Sequence, residues 1–136
     1  MKKIKLMIIR GLPGQGKSTL AKEISEKDGV AHFENDMYFM KNGKYEFDQR
    51  KAKDAADWCF NSVMKTLKDG KSCIVSNVFV SKKSIDRYVD AAKKLGAEVV
   101  VFRMTKQFKN VHDVPEDVFN SMRRYFCKYP GEILVH

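Results

Sequence analysis

Residues 11–18 have the sequence Gly-Leu-Pro-Gly-Gln-Gly-Lys-Ser and match the pattern G-x-x-x-x-G-K-[ST]. An apolar run at residues 4–9 precedes this segment, and a helical pattern at residues 19–26 follows it. The match has physical meaning only in this setting, because such a loop leads from a strand into the start of a helix. The segment therefore predicts a strand–loop–helix unit that carries a phosphate-binding loop.

The residue types in this loop suit a bound polyphosphate. Glycines let the backbone curl so that successive N–H groups point at one anion, and the following helix adds the positive end of its dipole. Lys17 can reach the β- and γ-phosphates, and the Ser18 hydroxyl can bind Mg²⁺. The alternative is a tight strand-to-helix turn that binds nothing. We predict ATP and Mg²⁺ as cofactors, Ser18 as the metal ligand, and nine nucleotide-binding residues: Gly11, Leu12, Pro13, Gly14, Gln15, Gly16, Lys17, Ser18 and Thr19.

The composition is that of a folded globular chain. A length of 136 residues predicts one domain, residues 1–136, and 43% hydrophobic residues allow a core without disulfides. The three cysteines, Cys59, Cys73 and Cys127, lack metal-like spacing and lie among apolar residues, which predicts buried free thiols. The N-terminal apolar run is too short for a secretion signal, and no run reaches membrane-spanning length. We therefore expect a cytoplasmic protein that does not bind a membrane.

The net charge of +9 permits a polyanionic partner such as nucleic acid. The lysines are scattered along the chain, however, and many fall on predicted helix faces, where a solvated surface is the usual explanation. Charge alone therefore leaves both explanations open. The sequence does not predict the oligomeric state.

Strands and helices alternate along the chain. Apolar runs predict strands at residues 3–10, 30–35, 73–77, 98–103 and, at an edge, 133–135. Helical spacing predicts helices at residues 17–27, 48–67 and 82–95, and a further helix starts at residues 113–116. Residues 104–114 have weak periodicity and predict a loop or a lid. This order predicts an α/β P-loop NTPase sandwich with a four- or five-stranded, mainly parallel sheet and a helical lid.

Two polar residues at predicted strand ends bear on the reaction. Ligands gather beyond the carboxyl ends of parallel strands, so Asp36 can take a proton from an acceptor, or it can merely cap the next turn. Asn77 ends the third strand, where a hydrolytic motor usually has a carboxylate. Asn77 can bond the backbone or contact a Mg²⁺-bound water. The missing carboxylate favours a kinase, for which the basic residues 106–112 can form a lid over the transferring group.

Several stretches together resemble the P-loop kinases related to the 5′-kinase domain of phage polynucleotide kinase. Small phage and cellular members of this group are often described as AAA-family ATPases. The resemblance extends to about Tyr125. It is carried by residues 10–20, by Asn35-Asp36 with Tyr38, by Tyr45-Glu46-Phe47 ahead of a helix with Trp58-Cys59, and by residues 109–115.

The resemblance implies roles for four side chains. Asp36 is the implied general base, and Lys17 and Ser18 are the implied phosphate and Mg²⁺ ligands. Lys109 stands where the family's lid has an arginine, and so it is the implied catalytic cation; it keeps the charge but lacks the planar fork that suits phosphate. The chain departs from the family's Arg, Asp, His and Arg at four further positions: Phe39, Asn77, Ala56 and Tyr125.

The sequence therefore predicts an ATP-dependent kinase that phosphorylates a hydroxyl group. The 5′-hydroxyl of a nucleic acid is the first choice of acceptor, and a small hydroxylated metabolite is the second. The alternative class is a nucleotide-binding or ATP-hydrolysing module without kinase activity.

Overall fold

The computed structural model describes residues 3–106 and 114–136. Two short 3₁₀ turns, Asn35–Phe39 and Gln49–Lys51, connect the regular elements. In chain order those elements are β1 (Lys5–Arg10), α1 (Lys17–Asp28), β2 (Ala31–Phe33), β3 (Met40–Lys41), β4 (Lys44–Tyr45), α2 (Ala52–Lys68), β5 (Cys73–Asn77), α3 (Lys82–Lys94), β6 (Glu98–Met104), α4 (Glu116–Tyr125) and β7 (Ile133–Val135).

Five strands form one parallel sheet in the order β2-β5-β1-β6-β7. The predicted α/β sandwich is confirmed, and β7 is its fifth strand. Arg10, the last residue of β1, pairs with Asn77 of β5 on one side and with Arg103 of β6 on the other. The carboxyl ends of the central strands therefore meet at one edge, where ligands of open parallel sheets bind.

The two faces of the sheet bury alternate residues of β1. Leu6 and Ile8 pack with apolar residues of α2 and α3, whereas Ile9 packs with Ala21 of α1 on the opposite face. This arrangement follows from the period of two in a strand, because successive side chains point to opposite faces. Helices cover both faces, which explains why β1 is apolar from Leu6 to Ile9.

Some boundaries differ from the sequence-based prediction. Strand β2 ends at Phe33, two residues early, because the chain enters a 3₁₀ turn at Asn35. Helix α2 begins at Ala52, after the second 3₁₀ turn. The predicted acidic cap of α4, Asp113, lies outside the described residues, and Pro115 directly precedes the first helical residue.

The cysteine prediction holds for two of the three thiols. Cys59 and Cys73 are buried free thiols, and burial raises the pKa of both, that of Cys73 to about 12. Cys127 is only half-buried, because it sits at the end of α4 with its Sγ 3.8 Å from Nη2 of Arg10. Among the described residues, no helix combines the length and apolar character needed to span a membrane.

Arg10, which directly precedes the glycine-rich loop, is fully buried. Its Nη1 donates to Oε1 of Glu132 at 2.8 Å, and its Nη2 and Nε donate to the carbonyl of Phe79 at 2.7 and 3.2 Å. The guanidinium also lies 4.1 Å from the centre of the Phe126 ring. A buried charge needs such partners to offset its lost hydration. The network ties the end of β1 to the chain that follows β5 and to the C-terminal segment.

Phe79 adopts a left-handed backbone conformation with φ 52°. This conformation costs a residue with a side chain about 1–2 kcal/mol. The same residue supplies the carbonyl that accepts twice from Arg10, so its strained backbone belongs to the network that holds the buried charge.

Candidate active site

The loop at residues 11–16 depends on its glycines for shape. Gly14 and Gly16 have φ values of 85° and 83°, a region that other residues rarely adopt. A Cβ atom on Gly11 would lie 2.9 Å from Oε1 of Gln15 and 3.0 Å from Cβ of Met104. Helix α1 starts at Lys17, and Gly16 at its cap position has no side chain to occupy the first N–H groups. These donors suit an anion.

Hydrogen bonds inside the loop hold its curl. The side chain of Gln15 is almost fully buried, and its Oε1 accepts from the backbone N–H of Leu12 at 2.6 Å. In return, the N–H of Gln15 donates to the carbonyl of Leu12 at 3.3 Å. The side chain at this variable position of the motif therefore stabilises the loop from behind.

Lys17 folds back over the loop. Its Nζ donates to the carbonyl of Leu12 at 3.0 Å. Burial lowers its pKa from the usual value of 10.5 to about 8, although the nearby carboxylates of Glu34 and Asp36 act in the opposite direction. A desolvated ammonium group gains more from an added phosphate than a hydrated one does. The location of Lys17 over the loop and its reduced hydration therefore both favour binding of an anion.

Glu34 is a site residue that the sequence reasoning missed. It follows β2 directly, and its Oε2 accepts from the Ser18 hydroxyl at 2.7 Å. The rule that selected Asp36, a polar side chain beyond the carboxyl end of a strand, applies equally to Glu34. The structure thus places a carboxylate against the predicted metal ligand of the loop.

His32 lies behind Glu34 and was also missed. Its Nε2 is 2.7 Å from the hydroxyl of the buried Ser76 and 3.6 Å from Oε1 of Glu34. Burial lowers the pKa of His32, and Lys22 acts in the same direction, while Glu34 opposes them. The imidazole is therefore neutral at pH 7, and its contact with Glu34 is not an ion pair.

Asn77 joins the ends of β5 and β2. Its Oδ1 accepts from the backbone N–H of Asn35 at 2.9 Å, and its Nδ2 lies 3.9 Å from Sγ of Cys59. The backbone contact, one of the two roles left open by the sequence, is present. This clamp fixes the segment that carries Glu34 and Asp36 at the edge of the sheet.

Asp36 lies inside the first 3₁₀ turn and is exposed. Its Oδ1 accepts from the hydroxyl of Tyr45 at 3.2 Å, which links it to the β3–β4 hairpin. Tyr45 and Phe47 stack with ring centres 6.4 Å apart, and Phe47 is 57% exposed. These aromatic residues, Asp36 and the glycine-rich loop line one cavity of about 1030 Å³.

Most of the predicted site residues line one cavity, whereas Gly11, Leu12 and Gln15 belong to the loop without lining that cavity. The same cavity is lined by Lys17, Ser18 and Asp36. Lys109, the predicted lid cation, lies outside the described residues. Phe39, at the position of the family's arginine, is buried beneath the hairpin, where its ring meets those of Tyr45 and Phe47 edge-on.

A parallel sheet whose first strand leads through this loop into α1 defines a P-loop NTPase-like fold. The family described as AAA domain matches residues 6–128, and the chain belongs to this family. It is 32% identical over 151 residues to Uncharacterized protein PM0531 of Pasteurella multocida (strain Pm70), which covers 96% of this chain and 82% of that protein.

A second relative is much longer. The chain is 27% identical over 136 residues to NEDD4-binding protein 2 of Homo sapiens. This match covers 91% of the chain but only 8% of the human protein, so the similarity is confined to one segment of the human protein.

Solved kinase structures share the fold at low sequence identity. A gluconokinase from Sinorhizobium meliloti has a TM-score of 0.67 at 15% identity and covers 98% of this chain and 82% of its own. A chain of the Pnkp1/Rnl/Hen1 RNA repair complex has a TM-score of 0.64 at 20% identity and covers 96% of this chain and 42% of its own. The predicted likeness to P-loop kinases is confirmed at the level of the fold.

Proposed function

We propose that the protein is a kinase that transfers the γ-phosphate of ATP to a hydroxyl acceptor. The observation that carries this proposal is the position of Asp36. Its exposed carboxylate and the glycine-rich loop line one cavity at the carboxyl edge of the sheet. A phosphate-binding site and a proton acceptor within one cavity are the two parts that phosphoryl transfer to a hydroxyl needs.

The donor set fits ATP with Mg²⁺. The N–H groups of the loop and Lys17 would hold the phosphates, and the hydroxyl of Ser18 and the carboxylate of Glu34 offer the hard oxygen donors that Mg²⁺ prefers. The cation, when bound, neutralises charge on the β- and γ-phosphates. Lys17 and the loop would keep the triphosphate in one orientation, and the low exposure of the loop limits water around it.

Asp36 would act on the acceptor. As the acceptor oxygen forms its bond to the γ-phosphorus, the bond from that phosphorus to the bridging oxygen of ADP breaks, and the hydroxyl proton passes to the Asp36 carboxylate. The Tyr45 hydroxyl, 3.2 Å from Oδ1, would hold the carboxylate in place. We further propose Lys109 as the lid cation, on the basis of the family resemblance alone.

For the acceptor, we propose the 5′-hydroxyl end of a nucleic acid. The net charge of +9 suits a polyanion, and the exposed ring of Phe47 in the cavity suits a planar base. A small hydroxylated metabolite is the second candidate. The buried Phe39 favours it, because no cation at that position can grip an acceptor phosphate.

Incubation with γ-labelled ATP, Mg²⁺ and a panel of acceptors tests the proposal. The panel contains 5′-hydroxyl DNA, 5′-hydroxyl RNA, nucleosides and sugars. We expect label on the oligonucleotides, and binding that weakens with salt at a log–log slope of about −0.7 per phosphate contact. Label on a sugar or nucleoside alone would assign the metabolite class. ATP binding without transfer to any acceptor would reject the kinase and leave a nucleotide-binding module.

A further inference from the structure

The carboxylate of Glu34 is in direct hydrogen-bond contact with the serine of the glycine-rich loop. Its Oε2 is 2.7 Å from the Ser18 hydroxyl, and its side chain is only 18% exposed. A serine hydroxyl has one proton to donate and two lone pairs to offer. Because Glu34 accepts the proton, the lone pairs of Ser18 are left for a cation.

Asn77 and Asp36, two other polar side chains of the edge, make hydrogen bonds elsewhere. Asn77 stands at the end of β5, where a hydrolytic P-loop protein usually places its acidic Mg²⁺ partner, and its Oδ1 holds the backbone of Asn35. The carboxylate of Asp36 accepts from Tyr45 at 3.2 Å and is exposed. Within the described part of the chain, the negative charge next to Ser18 comes from the end of β2 rather than from β5.

We infer that Glu34 takes over the metal-holding task of the acidic residue that is missing at Asn77. It supplies the negative charge that retains Mg²⁺ beside Ser18 and orients the Ser18 hydroxyl toward that ion. Mg²⁺ is commonly held by one or two carboxylates together with substrate phosphates. This inference rests on the ATP binding proposed above, but it does not require that the protein be a kinase.

The effect of Mg²⁺ on ATP affinity tests the inference without any activity assay. Calorimetric titration gives the dissociation constant of ATP with Mg²⁺ and with EDTA, and their ratio is the gain due to the metal. Glu34→Gln keeps the size and a hydrogen-bond acceptor but removes the charge. We expect the gain to fall about 10–100-fold, the usual cost of losing a partner of a bound metal.

The same titration separates this role from a general loss of structure. Without metal, Glu34→Gln should bind ATP as well as or better than wild type, because one negative charge near the triphosphate is gone. A misfolded variant would lose affinity in both conditions, so thermal unfolding of the variant provides a second check. Glu26→Gln, which removes an exposed carboxylate of α1 that does not line the cavity, is the matched control and should keep the wild-type gain.

A double substitution tests whether both residues serve one ion. If they do, Ser18→Ala and Glu34→Gln each remove most of the gain, and the double variant loses little more. Independent, additive losses would overturn the inference. So would an unchanged gain in Glu34→Gln, or a wild type whose ATP affinity does not respond to Mg²⁺. A wild type that shows the gain but phosphorylates no acceptor would reject the kinase while leaving the role of Glu34 intact.

Discussion

The two sides of the cavity are built in different ways. We call residues 11–18 with the strand ends behind them the phosphate side, and Asp36 with residues 44–47 the hairpin side. The phosphate side rests on buried polar residues, Arg10, Gln15 and Ser76, each with hydrogen-bond partners. The hairpin side is exposed, and hydrogen bonds from Tyr45 to Asp36 and from the backbone N–H of Glu46 to the carbonyl of Phe39 link it to the turn.

The phosphate side is therefore the preorganised part of the site. Backbone N–H groups bind an anion well only if the loop is already in the right shape, and a buried, fully bonded network keeps it there. The hairpin side has no comparable network of buried polar groups: residues 40–47 are all exposed, and the rings of Tyr45 and Phe47 pack on the buried Phe39. Changes to the phosphate side should therefore affect stability and nucleotide affinity, whereas changes to the hairpin side should affect transfer and the acceptor.

The largest expected effect comes from the hairpin side. Asp36→Asn should lower the rate of phosphoryl transfer about 10²–10⁴-fold, the usual range for a lost general base. ATP affinity should stay within about twofold, because Asp36 does not bond the loop. Initial rates with the labelled acceptor and ATP titration measure the two quantities. A variant with wild-type transfer rates would end the general-base assignment.

The next prediction concerns the stability that the buried Arg10 network gives to the phosphate side. Glu132→Ala leaves the buried Arg10 without its carboxylate, which should lower the free energy of unfolding by about 3–5 kcal/mol. Burial by itself raises the pKa of Glu132, but hydrogen bonds from Arg10 and the backbone of Tyr129 outweigh it, and the pKa lies below its ordinary value. Glu132 is therefore ionised at neutral pH, which is the pH at which the unfolding of the variant should be measured.

The control for this substitution is an exposed ion pair. Asp57 accepts from Arg87 at 3.0 Å, and both side chains are 43% exposed. Asp57→Ala should cost about 0–1 kcal/mol. Urea unfolding of the two variants gives the comparison, and similar losses would mean that the Arg10 network does not support the loop.

Lys17→Ala should weaken binding of ATP with Mg²⁺ about 10–100-fold, if one charge-assisted contact contributes about 1.5–3 kcal/mol. Calorimetric titration of wild type and variant measures the two dissociation constants. The free energy of unfolding should not fall, because a buried ammonium group with a lowered pKa is destabilised by folding. Equal affinities of wild type and variant would exclude Lys17 as a phosphate ligand.

The pKa of Lys17 adds a control with a definite sign. In the free protein the ammonium loses its proton near pH 8, whereas bound phosphate favours the charged form. ATP affinity should therefore fall as the pH rises through about 8, by at most about tenfold per pH unit, and binding should take up a proton. Lys17→Ala should lack this dependence. A wild type whose affinity is flat between pH 7 and 9 would contradict the lowered pKa.

The smallest expected effect lies on the exposed hairpin. Phe47→Ala should raise the KM for an oligonucleotide acceptor about fivefold, since stacking of one base contributes about 1 kcal/mol at the low end of its range. The free energy of unfolding should fall by about 1–2 kcal/mol, because the residue is 57% exposed and its ring packs on the buried Phe39. Phe47→Tyr is the matched control and should keep the wild-type KM. A KM that does not change in Phe47→Ala would remove the ring from the acceptor site.

The strongest sequence signals were those with a local physical basis. The strand, the glycine-rich turn and α1 follow from short-range patterns, and the ends of β5 matched the prediction residue for residue. Gly29 ends α1 with a left-handed φ of 67°, as expected for a glycine just after a helix. Asp36 could be placed at the sheet edge because the carboxyl ends of parallel strands share that edge.

The same reasoning could not predict contacts between distant segments of the chain. Glu34 looked like an ordinary residue next to Asp36 until the sheet placed it against Ser18, 16 residues earlier in the chain. Arg10 looked like the polar end of a strand, yet its main partner, Glu132, is 122 residues away. No periodicity or spacing encodes such pairs, since they depend on which strand lies beside which.

The fold class, the glycine-rich loop and the edge of the sheet that carries the candidate site can all be predicted from the sequence, because each follows from hydrophobic periodicity, glycine geometry and strand direction within short segments. Tertiary structure alone decided the acidic partner of Ser18, the clamp between Asn77 and Asn35, and the burial of Arg10. The order of strands in the sheet brings these groups together. The free energy of a buried charge or hydrogen bond then depends on partners from remote parts of the chain.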